Sequence, residues 1–572
     1  MTDTLVLQEA ASALNVEEKE EDGDVMEKII HHIGEMGTYQ LLLVVFMLPF
    51  IATWAFSYAV PMFILATPQE HWCKVPELQN LTLEMRRNLS IPFTDEPPGW
   101  DRCRMFAANY TEVLTTLTRP ANDTPLIPCR NGWEFLFNDI PYSTIINERE
   151  WVCERATYAP LAQSAYFAGS LVGVIIFGFL GDTYGRLPAF VGANIIGFIG
   201  SMATLFTVGE WDYALARFIA GLANDTCYVM IYIIVLEFIG SRHRSWVSNV
   251  AMGSSCAGAQ ILTPLLALWF KNWRTLLIVT SLPSLLALAM PWIVPESVRW
   301  LSTRGKINRA LKILKRFERI NKTKIPEDVL NEFIIKSNKT LESDQSLKAV
   351  LQSSKLRKCL ITLICVGIIA YISIDTIIRL SENIGYSLFV TFAASSFAEL
   401  PALGFVAFTL DRFGRRPFIV ATLAFTSVCA FTCSFMARDG FQAFFAVSVR
   451  FFVNMSLSVV FQLGPEILPT PARSSGNSLI HLTMLLGAVV SPYVVHSGTV
   501  WSSLPLVIVG AITVVGTLLS LLLPETTGRS IPQTLADGER LVAENMLCGR
   551  IEPDNEDLPR PNQKCLPETS AF

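Results

Sequence analysis

Residues 182–186 read Asp-Thr-Tyr-Gly-Arg and residues 411–415 read Asp-Arg-Phe-Gly-Arg, so one pattern occurs twice, 229 positions apart (411 minus 182). The same offset relates three further pairs: Glu237 and Glu466, Arg244 and Arg473, and Pro295-Glu296 and Pro524-Glu525. Charged residues and glycines rarely coincide at one long offset by chance. The chain is therefore predicted to contain two copies of one ancestral unit.

Long apolar runs lie between these charged motifs. Each has about 20 residues, the length that a helix needs to cross a bilayer. Twelve runs are predicted, at residues 40–65, 157–180, 188–208, 212–238, 246–270, 275–294, 359–379, 386–409, 417–437, 441–464, 476–497 and 501–523. The composition agrees, because the 572-residue chain is 51% apolar and only 17% charged. These features predict an all-α membrane protein with twelve transmembrane helices in two pseudo-symmetric six-helix halves.

The distribution of positive charge predicts the orientation. Lys and Arg are concentrated in the turns 181–187, 240–244 and 411–416 and in the long segment 295–358, which the positive-inside rule places in the cytoplasm. Segment 66–156 then lies outside the cell. Because the number of spans is even, both termini are expected in the cytoplasm.

Segment 66–156 has features of its own that indicate an extracellular location. Four cysteines and four Asn-x-Ser/Thr sequons fall within it, and disulfides and glycans both form outside the cytosol. The expected disulfide cysteines are Cys73, Cys103, Cys129 and Cys153, and the expected glycosylation sites are Asn80, Asn88, Asn109 and Asn122. Four cysteines allow three pairings, among which the sequence does not choose. Sequons at Asn321 and Asn338 fall in the basic segment and are expected to stay unmodified.

The predicted domain organisation follows from these assignments. The parts are a cytoplasmic segment 1–39, a six-helix half 40–294 that includes 66–156, a cytoplasmic linker 295–358, a second half 359–523 and a cytoplasmic tail 524–572. The linker is expected to form amphipathic helices at the membrane surface.

The repeated charges are interpreted as a conformational latch. An Asp can pair with a nearby Arg, and Gly permits the tight turn between them. The latch residues are predicted to be Asp182, Gly185, Arg186, Glu237 and Arg244, with Asp411, Gly414, Arg415, Glu466 and Arg473 as their counterparts. Ion pairs between helix ends would form when the inner side is closed, and opening inward would break them. The alternative is that these residues only fix topology and turns.

Ionisable residues within the spans are costly and are usually functional. They include Asp225, with Tyr228 and Tyr232 three and seven positions later on nearly the same helical face. A carboxylate beside two aromatic rings suits an organic ammonium group, through ion pairing and cation–π attraction. The alternative is a tyrosine-lined packing face with a paired Asp. Arg217 is expected near the outer interface, because it lies close to the start of its apolar run.

Several motifs resemble those of a known family. The two Asp-x-x-Gly-Arg turns resemble the signature of the major facilitator superfamily. The stretch Pro295-Glu296-Ser297-Val298-Arg299-Trp300-Leu301 looks like the signature after the sixth helix in the organic cation, organic anion and carnitine transporters of animals. Segments 466–470 and 523–526 and the large cysteine-bearing first loop are similar to that family too. The resemblance covers about residues 27–530 and implies carriage of small organic ions across the plasma membrane by a twelve-helix major facilitator fold.

By this resemblance, Tyr228, Tyr232, Glu399 and Arg450 match positions that line or support the central cavity. Two departures affect the substrate. Cation carriers often have a basic residue where this chain has Asp225. At Leu485 they often have Asp, whereas the carnitine and anion carriers have Arg. The full predicted set of substrate-binding residues is Asp225, Tyr228, Tyr232, Tyr371, Asp375, Glu399, Arg450 and Gln462.

The charges within the spans lead to an expected substrate class. If Glu399 pairs with Arg450, the carboxylates Asp225 and Asp375 leave a surplus of negative charge in the cavity. Small cations or zwitterions are therefore expected: carnitine-like compounds, β-alanine, its histamine conjugate carcinine, and biogenic amines. Simple organic anions are the alternative within the same family.

Other function classes find little support in the sequence. A net charge of −5 does not suggest nucleic-acid binding. The sequence shows no nucleotide-phosphate loop, metal-ligand cluster or nucleophile elbow, so no enzyme, cofactor or metal is expected. A channel or receptor would not need the repeat. The expected partners are the lipid bilayer and a small organic ion. The end Ser570-Ala571-Phe572 also fits a PDZ-domain ligand, as a weaker prediction.

Overall fold

The computed structural model describes residues 25–94, 99–339, 347–380, 387–436, 440–527, 529, 532 and 534–545. Within these residues, eleven helical segments are long and apolar enough to cross a membrane, and a shorter apolar helix completes the series. We number them spans 1 to 12: Thr38–Ile64, Cys153–Tyr184, Arg186–Phe206, Glu210–Glu237, Val250–Phe270, Trp273–Ile293, Ser354–Arg379, Leu388–Leu410, Arg415–Phe435, Gly440–Ile467, Ser475–Thr499 and Leu504–Ser520. The predicted all-α membrane fold is confirmed.

The two six-helix halves meet on the side of segment 66–156, which we call the cap side; the opposite side is the linker side. One buried core on the cap side draws residues from both halves, and in it the Phe63 ring lies 5.1 Å from the Phe392 ring. Span 2 packs on span 11, where the Ser164 hydroxyl donates to the Val489 carbonyl over 2.8 Å. On the linker side each half has a separate core. The arrangement is therefore closed on the cap side.

Residues 66–156 form a small cap domain with its own core. Strands β1 (His71–Cys73) and β4 (Trp133–Phe135) pair antiparallel, as do β2 (Arg104–Phe106) and β3 (Leu126–Pro128). The cap helices are Leu83–Ser90, Tyr110–Thr116 and Ile145–Arg149. The disulfides join Cys73 to Cys129 and Cys103 to Cys153, which is one of the three pairings that the sequence left open.

The cap domain is fixed to the membrane helices by hydrogen bonds to spans 1 and 6. The Tyr142 hydroxyl donates to the Phe63 carbonyl of span 1 over 3.2 Å, and Arg274 of span 6 donates to both oxygens of Glu148 over 2.8 Å. The four sequon asparagines of the cap are all exposed, at Asn80, Asn88, Asn109 and Asn122. Their position is compatible with glycosylation, which stays a prediction.

The first three linker helices pack on the N-terminal half, and the fourth packs on spans 7 and 11 of the C-terminal half. The linker helices are Val298–Thr303, Ile307–Asn321, Glu327–Lys339 and Leu347–Gln352, and the N-terminal helix Val25–Ile33 joins the core of the N-terminal half. Asn321 holds this assembly together, because its amide donates to Ile33 O and Gln40 Oε1 and accepts from the Tyr39 amide. This use of both amide atoms gives a structural reason to expect no glycan at Asn321. The side chain of Asn338 lies outside the described residues.

The C-terminal half has a corresponding outer helix. Helix Leu535–Asn545 follows span 12, and Val542 joins the core of this half on the linker side. The Glu539 carboxylate accepts a hydrogen bond from the Ser353 hydroxyl. The Ser570-Ala571-Phe572 end, with its predicted PDZ motif, lies outside the described residues.

Spans 4 and 8 are broken near their middles. Helix Glu210–Gly221 ends two residues before helix Asn224–Glu237 begins, and helix Leu388–Phe397 is separated from Glu399–Phe413 by one residue. Each break therefore places a carboxylate in the first turn of a half-helix, Asp225 in span 4 and Glu399 in span 8. A negative charge is stabilised there by the helix dipole.

Span 2 approaches the break in span 4 closely. A Cβ atom at Gly169 would meet the Phe218 carbonyl, and one at Gly173 would meet the backbone of Leu222. These two glycines thus allow span 2 to approach the backbone of span 4 closely.

We predict that the cap domain loses stability in mild acid. His71 is buried, and its Nδ1 lies 2.8 Å from the Pro68 carbonyl. Burial lowers the His71 pKa from 6.5 to about 4. The unfolded cap binds a proton there below about pH 6.5 and the folded cap does not, so stability falls as the pH drops from 6.5 to 4. The loss should be about 1 kcal/mol at pH 5.5.

Hydrogen exchange at β1 measures this loss. Protection should fall between pH 7.5 and 5.5, after correction for intrinsic exchange rates, and the fall should be smaller in His71→Asn, which keeps a side-chain donor near Pro68. An equal fall in both proteins would contradict the prediction.

Candidate functional site

The repeated turns share one geometry on the linker side. Gly185 and Gly414 have φ values of +123° and +87°, a region that side chains other than glycine disfavour. The Glu296 carboxylate accepts from the amide of Arg186 at 2.9 Å, and Glu525 accepts from the amide of Arg415 at 3.0 Å. Each Pro-Glu glutamate therefore caps the helix that starts after the glycine of its own half.

The environments of the two capping glutamates differ. Burial raises the pKa of Glu296 above its usual value, despite amide hydrogen bonds and the nearby Arg186. At Glu525 burial also acts to raise the pKa, but hydrogen bonds from Thr527 and the amides of Arg415 and Arg416 outweigh it and lower the pKa. As the pH falls, the Glu525 carboxyl therefore stays ionised to a lower pH than the Glu296 carboxyl.

The other predicted latch residues surround these caps. In the C-terminal half Arg415 pairs with Glu466 at 3.1 Å, and the Thr526 hydroxyl donates to Glu466 over 2.5 Å. In the N-terminal half Arg186 pairs with Asp182 at 2.6 Å, and Glu237 lies beside Ser297. Each of these contacts joins elements of one half. The latch role itself stays a prediction.

Three more predicted latch residues have different surroundings. Arg244 donates to the carbonyls of Leu236 and Ile239, and Arg473 donates to the Pro532 carbonyl. Arg244 therefore binds carbonyls at the C-terminal end of helix Asn224–Glu237, which are favourable partners for a cation, whereas the Arg473 partner lies in the non-helical chain before helix Leu535–Asn545. The side chain of Asp411 lies outside the described residues.

A polar network centred on Arg450 crosses the interface between the halves. Arg450 donates to Gln260 Oε1 at 2.6 Å, to Ser395 at 2.8 Å and to Glu399 at 3.3 Å. Gln260 belongs to span 5 of the N-terminal half and also donates to Glu399 over 3.5 Å. The predicted pairing of Glu399 with Arg450 is present, and Gln260, which the sequence reasoning missed, bridges it to the other half.

A second buried network is centred on Asp375. Its carboxylate pairs with Arg379 at 2.7 Å, accepts from the Tyr58 hydroxyl at 2.5 Å and also accepts from the Ser491 hydroxyl. Tyr58 lies in span 1, so this network also reaches across the halves. The sequence reasoning missed Arg379 because it ends its apolar run, although its spacing of four residues from Asp375 indicates a helical ion pair.

These arginines overturn the predicted surplus of negative charge. Asp375 is neutralised by Arg379, and Arg217 is only 3% exposed rather than placed at the outer interface. Three buried arginines, at positions 217, 379 and 450, therefore balance three carboxylates, at positions 225, 375 and 399. The prediction was wrong because it judged burial from position within an apolar run, whereas neighbouring helices determine it.

Asp225 and the two tyrosines predicted to lie beside it, Tyr228 and Tyr232, face different neighbouring spans. Tyr228 stacks on Trp54 of span 1 with centroids 4.7 Å apart, and Tyr232 follows at 6.2 Å. Asp225 instead accepts from Ser170 of span 2 over 2.6 Å. The carboxylate across the interface from Tyr228 is Glu399, within electrostatic range of its hydroxyl. The Asp225 carboxylate thus faces span 2, while the tyrosines face span 1.

Accessibility distinguishes the three carboxylates. The Glu399 side chain is 18% exposed and that of Asp375 1%, while Asp225 as a residue is 4% exposed. Tyr371 packs beside Tyr166 and interacts electrostatically with Asp225 and Asp375. We therefore define the central site as Trp54, Tyr228, Gln260, Glu399 and Arg450.

Gln462 does not join the central site. It is half-buried in span 10, twelve residues beyond Arg450 in the continuous helix Gly440–Ile467. Twelve residues of helix advance by about 18 Å, so Gln462 lies well toward the linker side.

Comparison with known proteins shows which family this chain belongs to and which proteins it is similar to. Residues 132–534 match the family model described as "Sugar (and other) transporter". The Drosophila melanogaster beta-alanine transporter is 28% identical over 95% of this chain and 94% of its own length. The Drosophila melanogaster carcinine transporter is 29% identical over 90% of this chain and 79% of its own length. Rattus norvegicus solute carrier family 22 member 3 is 27% identical, covering 92% of this chain and 97% of its own length.

Solved structures show the same fold. The major facilitator proton:xylose symporter XylE aligns with 88% of this chain and 98% of its own chain, at a TM-score of 0.57 and 14% identity. At that identity the likeness establishes the fold and carries no information about the substrate.

We predict that the Asp375–Arg379 pair is strongly coupled in stability. Arg379→Met leaves a fully buried carboxylate uncompensated and should destabilise the protein by about 3–5 kcal/mol. Asp375→Asn combined with Arg379→Met should restore much of this loss, because no buried charge then remains unpaired. Thermal unfolding of the purified variants measures both effects, and additive losses in the double variant would contradict the coupling.

Proposed function

We propose that this chain, which belongs to the sugar (and other) transporter family of the major facilitator superfamily and has organic cation transporters among its relatives, carries small organic zwitterions or cations across the plasma membrane. It is a multi-pass membrane protein of a transporter family. In the proposed orientation the cap domain is extracellular and the linker and both termini are cytoplasmic. The disulfides, the exposed sequons and the basic linker support this orientation.

One arrangement supports the substrate class: Glu399 lies at the break in span 8 and accepts a hydrogen bond from Gln260 of the half that holds the Trp54–Tyr228 ring pair. Aromatic faces and a carboxylate together attract an ammonium group. Glu399 is the most accessible of the three buried carboxylates. We therefore assign the substrate's ammonium group to Glu399 rather than to Asp225.

The balance of positive and negative charge in the site leads to an expected order of preference among the candidate substrates. Because three arginines offset three carboxylates, a substrate with no net charge enters with the smallest electrostatic penalty. Zwitterions such as β-alanine and carnitine-like compounds come first, carcinine and biogenic amines next, and simple organic anions last. The relatives named for beta-alanine and carcinine support an amine-bearing substrate.

The architecture supports alternating access as the mechanism. The two halves share a core on the cap side and have separate cores on the linker side. Rocking one half against the other would move the closed contact from the cap side to the linker side around the central site. An organic anion carrier with the same mechanism is the alternative. A receptor would not transport at all.

A competition panel against one labelled amine tests this proposal. Zwitterions and amines should inhibit uptake, and preloading vesicles with unlabelled substrate should accelerate it. Glu399→Gln should weaken amine inhibition at least tenfold, on the order of 1.5 kcal/mol, because the ammonium group loses its ion pair. Glu84→Gln, an exposed cap residue, is the control. Best uptake of anions such as urate, with amines inert, would refute the substrate class.

The variant Asp225→Asn, measured in the same assay, tests whether Asp225 or Glu399 binds the ammonium group of the substrate. Our assignment expects nearly unchanged amine affinity, since Asp225 contacts Ser170 within its own half. A loss of amine affinity as large as that in Glu399→Gln would show that Asp225 also binds the substrate.

The latch prediction concerns rate rather than specificity. Arg415→Ala removes the ion pair to Glu466 and should lower turnover several-fold while the ranking of competing substrates stays the same. Arg412→Ala, an exposed arginine in the same turn, is the matched control and should keep turnover near normal. Uptake rates at saturating substrate, normalised to surface protein, provide the measurement. A changed ranking with normal turnover would count against a latch.

A further inference from the structure

A small cavity lies inside the N-terminal half. Its volume is about 30 Å³, and the described residues that line it belong to spans 1, 2, 3, 4 and 6. One water molecule needs on the order of 15 Å³ by this measure, so the cavity fits one or two particles of that size and no organic substrate. It adjoins the central site, because Trp54 belongs to both, but Tyr228, Gln260, Glu399 and Arg450 are not among its lining residues.

Arg217 faces this cavity with an unsatisfied charge. The residue is 3% exposed, and its guanidinium lies over the Tyr166 ring at 4.4 Å. Among the described residues, no carboxylate lies within ion-pair distance of Arg217, and its Nε has no hydrogen-bond partner. A buried unpaired cation is costly, because the ring contact replaces only part of its hydration.

Several other polar groups around the cavity can donate hydrogen bonds, whereas Asn194, whose Nδ2 donates to the Phe190 carbonyl, offers an acceptor oxygen. The Asn224 oxygen already accepts from the Tyr166 hydroxyl at 2.8 Å, which leaves the Asn224 N–H groups to donate. Hydroxyl groups of Ser57, Ser201, Ser281 and Ser284 also line the cavity. None of the described lining residues is an Asp or a Glu. A cation with amide and hydroxyl donors, and without a carboxylate, is complementary to an anion.

We propose that this cavity binds a small inorganic anion, chloride under cellular conditions, between Arg217, Asn224 and the serine hydroxyl groups. The anion neutralises Arg217 and stabilises the packing of spans 1, 3, 4 and 6 around it. It is a fixed component of the N-terminal half and not the transported substrate. This inference does not depend on the identity of that substrate.

Anion-dependent thermal unfolding tests the site. The purified full-length protein is titrated with sodium chloride against sodium gluconate at constant ionic strength. Chloride should raise the unfolding temperature in a saturable manner, because it binds only the folded state. Arg217→Gln should raise the half-effect concentration at least about tenfold, through loss of a charge-assisted contact. Arg274→Gln, an arginine already paired with Glu148, should leave the chloride response unchanged.

Replacing chloride with bromide tests the same site in the wild-type protein, and this experiment does not require Arg217→Gln to fold. Bromide should stabilise the wild-type protein as chloride does and should give an anomalous diffraction peak beside the Arg217 guanidinium. Equal unfolding temperatures in chloride and gluconate, or a bromide peak elsewhere, would overturn the proposal and identify the cavity as a water site. Both readouts are independent of transport, so their failure would leave the proposed carrier function untouched.

Discussion

Each half of the bundle depends on a glutamate carboxylate that binds the first amides of a helix. Backbone N–H groups at a helix start have no partner within the helix, and a bilayer edge supplies few alternatives. Glu296 and Glu525 supply that partner after spans 6 and 12, and the glycine before each helix brings the carboxylate close. A Cβ atom at Gly185 or Gly414 would lie against that same carboxylate. The motif is present in both halves because each needs a glycine where the capping carboxylate approaches the start of a helix.

The sequence predicted the parts of the fold that follow from hydropathy and repetition. Apolar runs identify spans because burial in lipid requires them along the whole length of a helix, and the spans fall close to the predicted bounds. Span 12 is a shorter helix, Leu504–Ser520, than the apolar run suggested. The pairing of Cys73 with Cys129 depends on how β1 to β4 pair, a long-range arrangement that cysteine spacing does not encode.

The candidate site was less predictable, because it depends on which helices become neighbours. The Glu399–Arg450 pair could be inferred from two opposite charges within the spans of one half. The roles of Gln260 and Trp54 could not, because uncharged residues in an apolar run give no signal of their own. Arg379 and Arg217 lie near span ends, where arginines commonly reach the interface, and only the packing of adjacent helices shows that both are buried.

The location of the ion pairs has a consequence for movement between the halves. Both buried pairs, Asp375–Arg379 and Glu399–Arg450, lie wholly within the C-terminal half. The hydrogen bonds that reach these two ion pairs from across the interface come from uncharged groups of the N-terminal half, the Tyr58 hydroxyl and the Gln260 amide. Separating the halves would break hydrogen bonds but would leave each arginine with its carboxylate, so no buried charge loses its counter-ion. Splitting an ion pair would cost several kcal/mol more than releasing a neutral donor. In the proposed alternating-access cycle, this distribution of charge would lower the barrier to rocking, because neither ion pair has to be split.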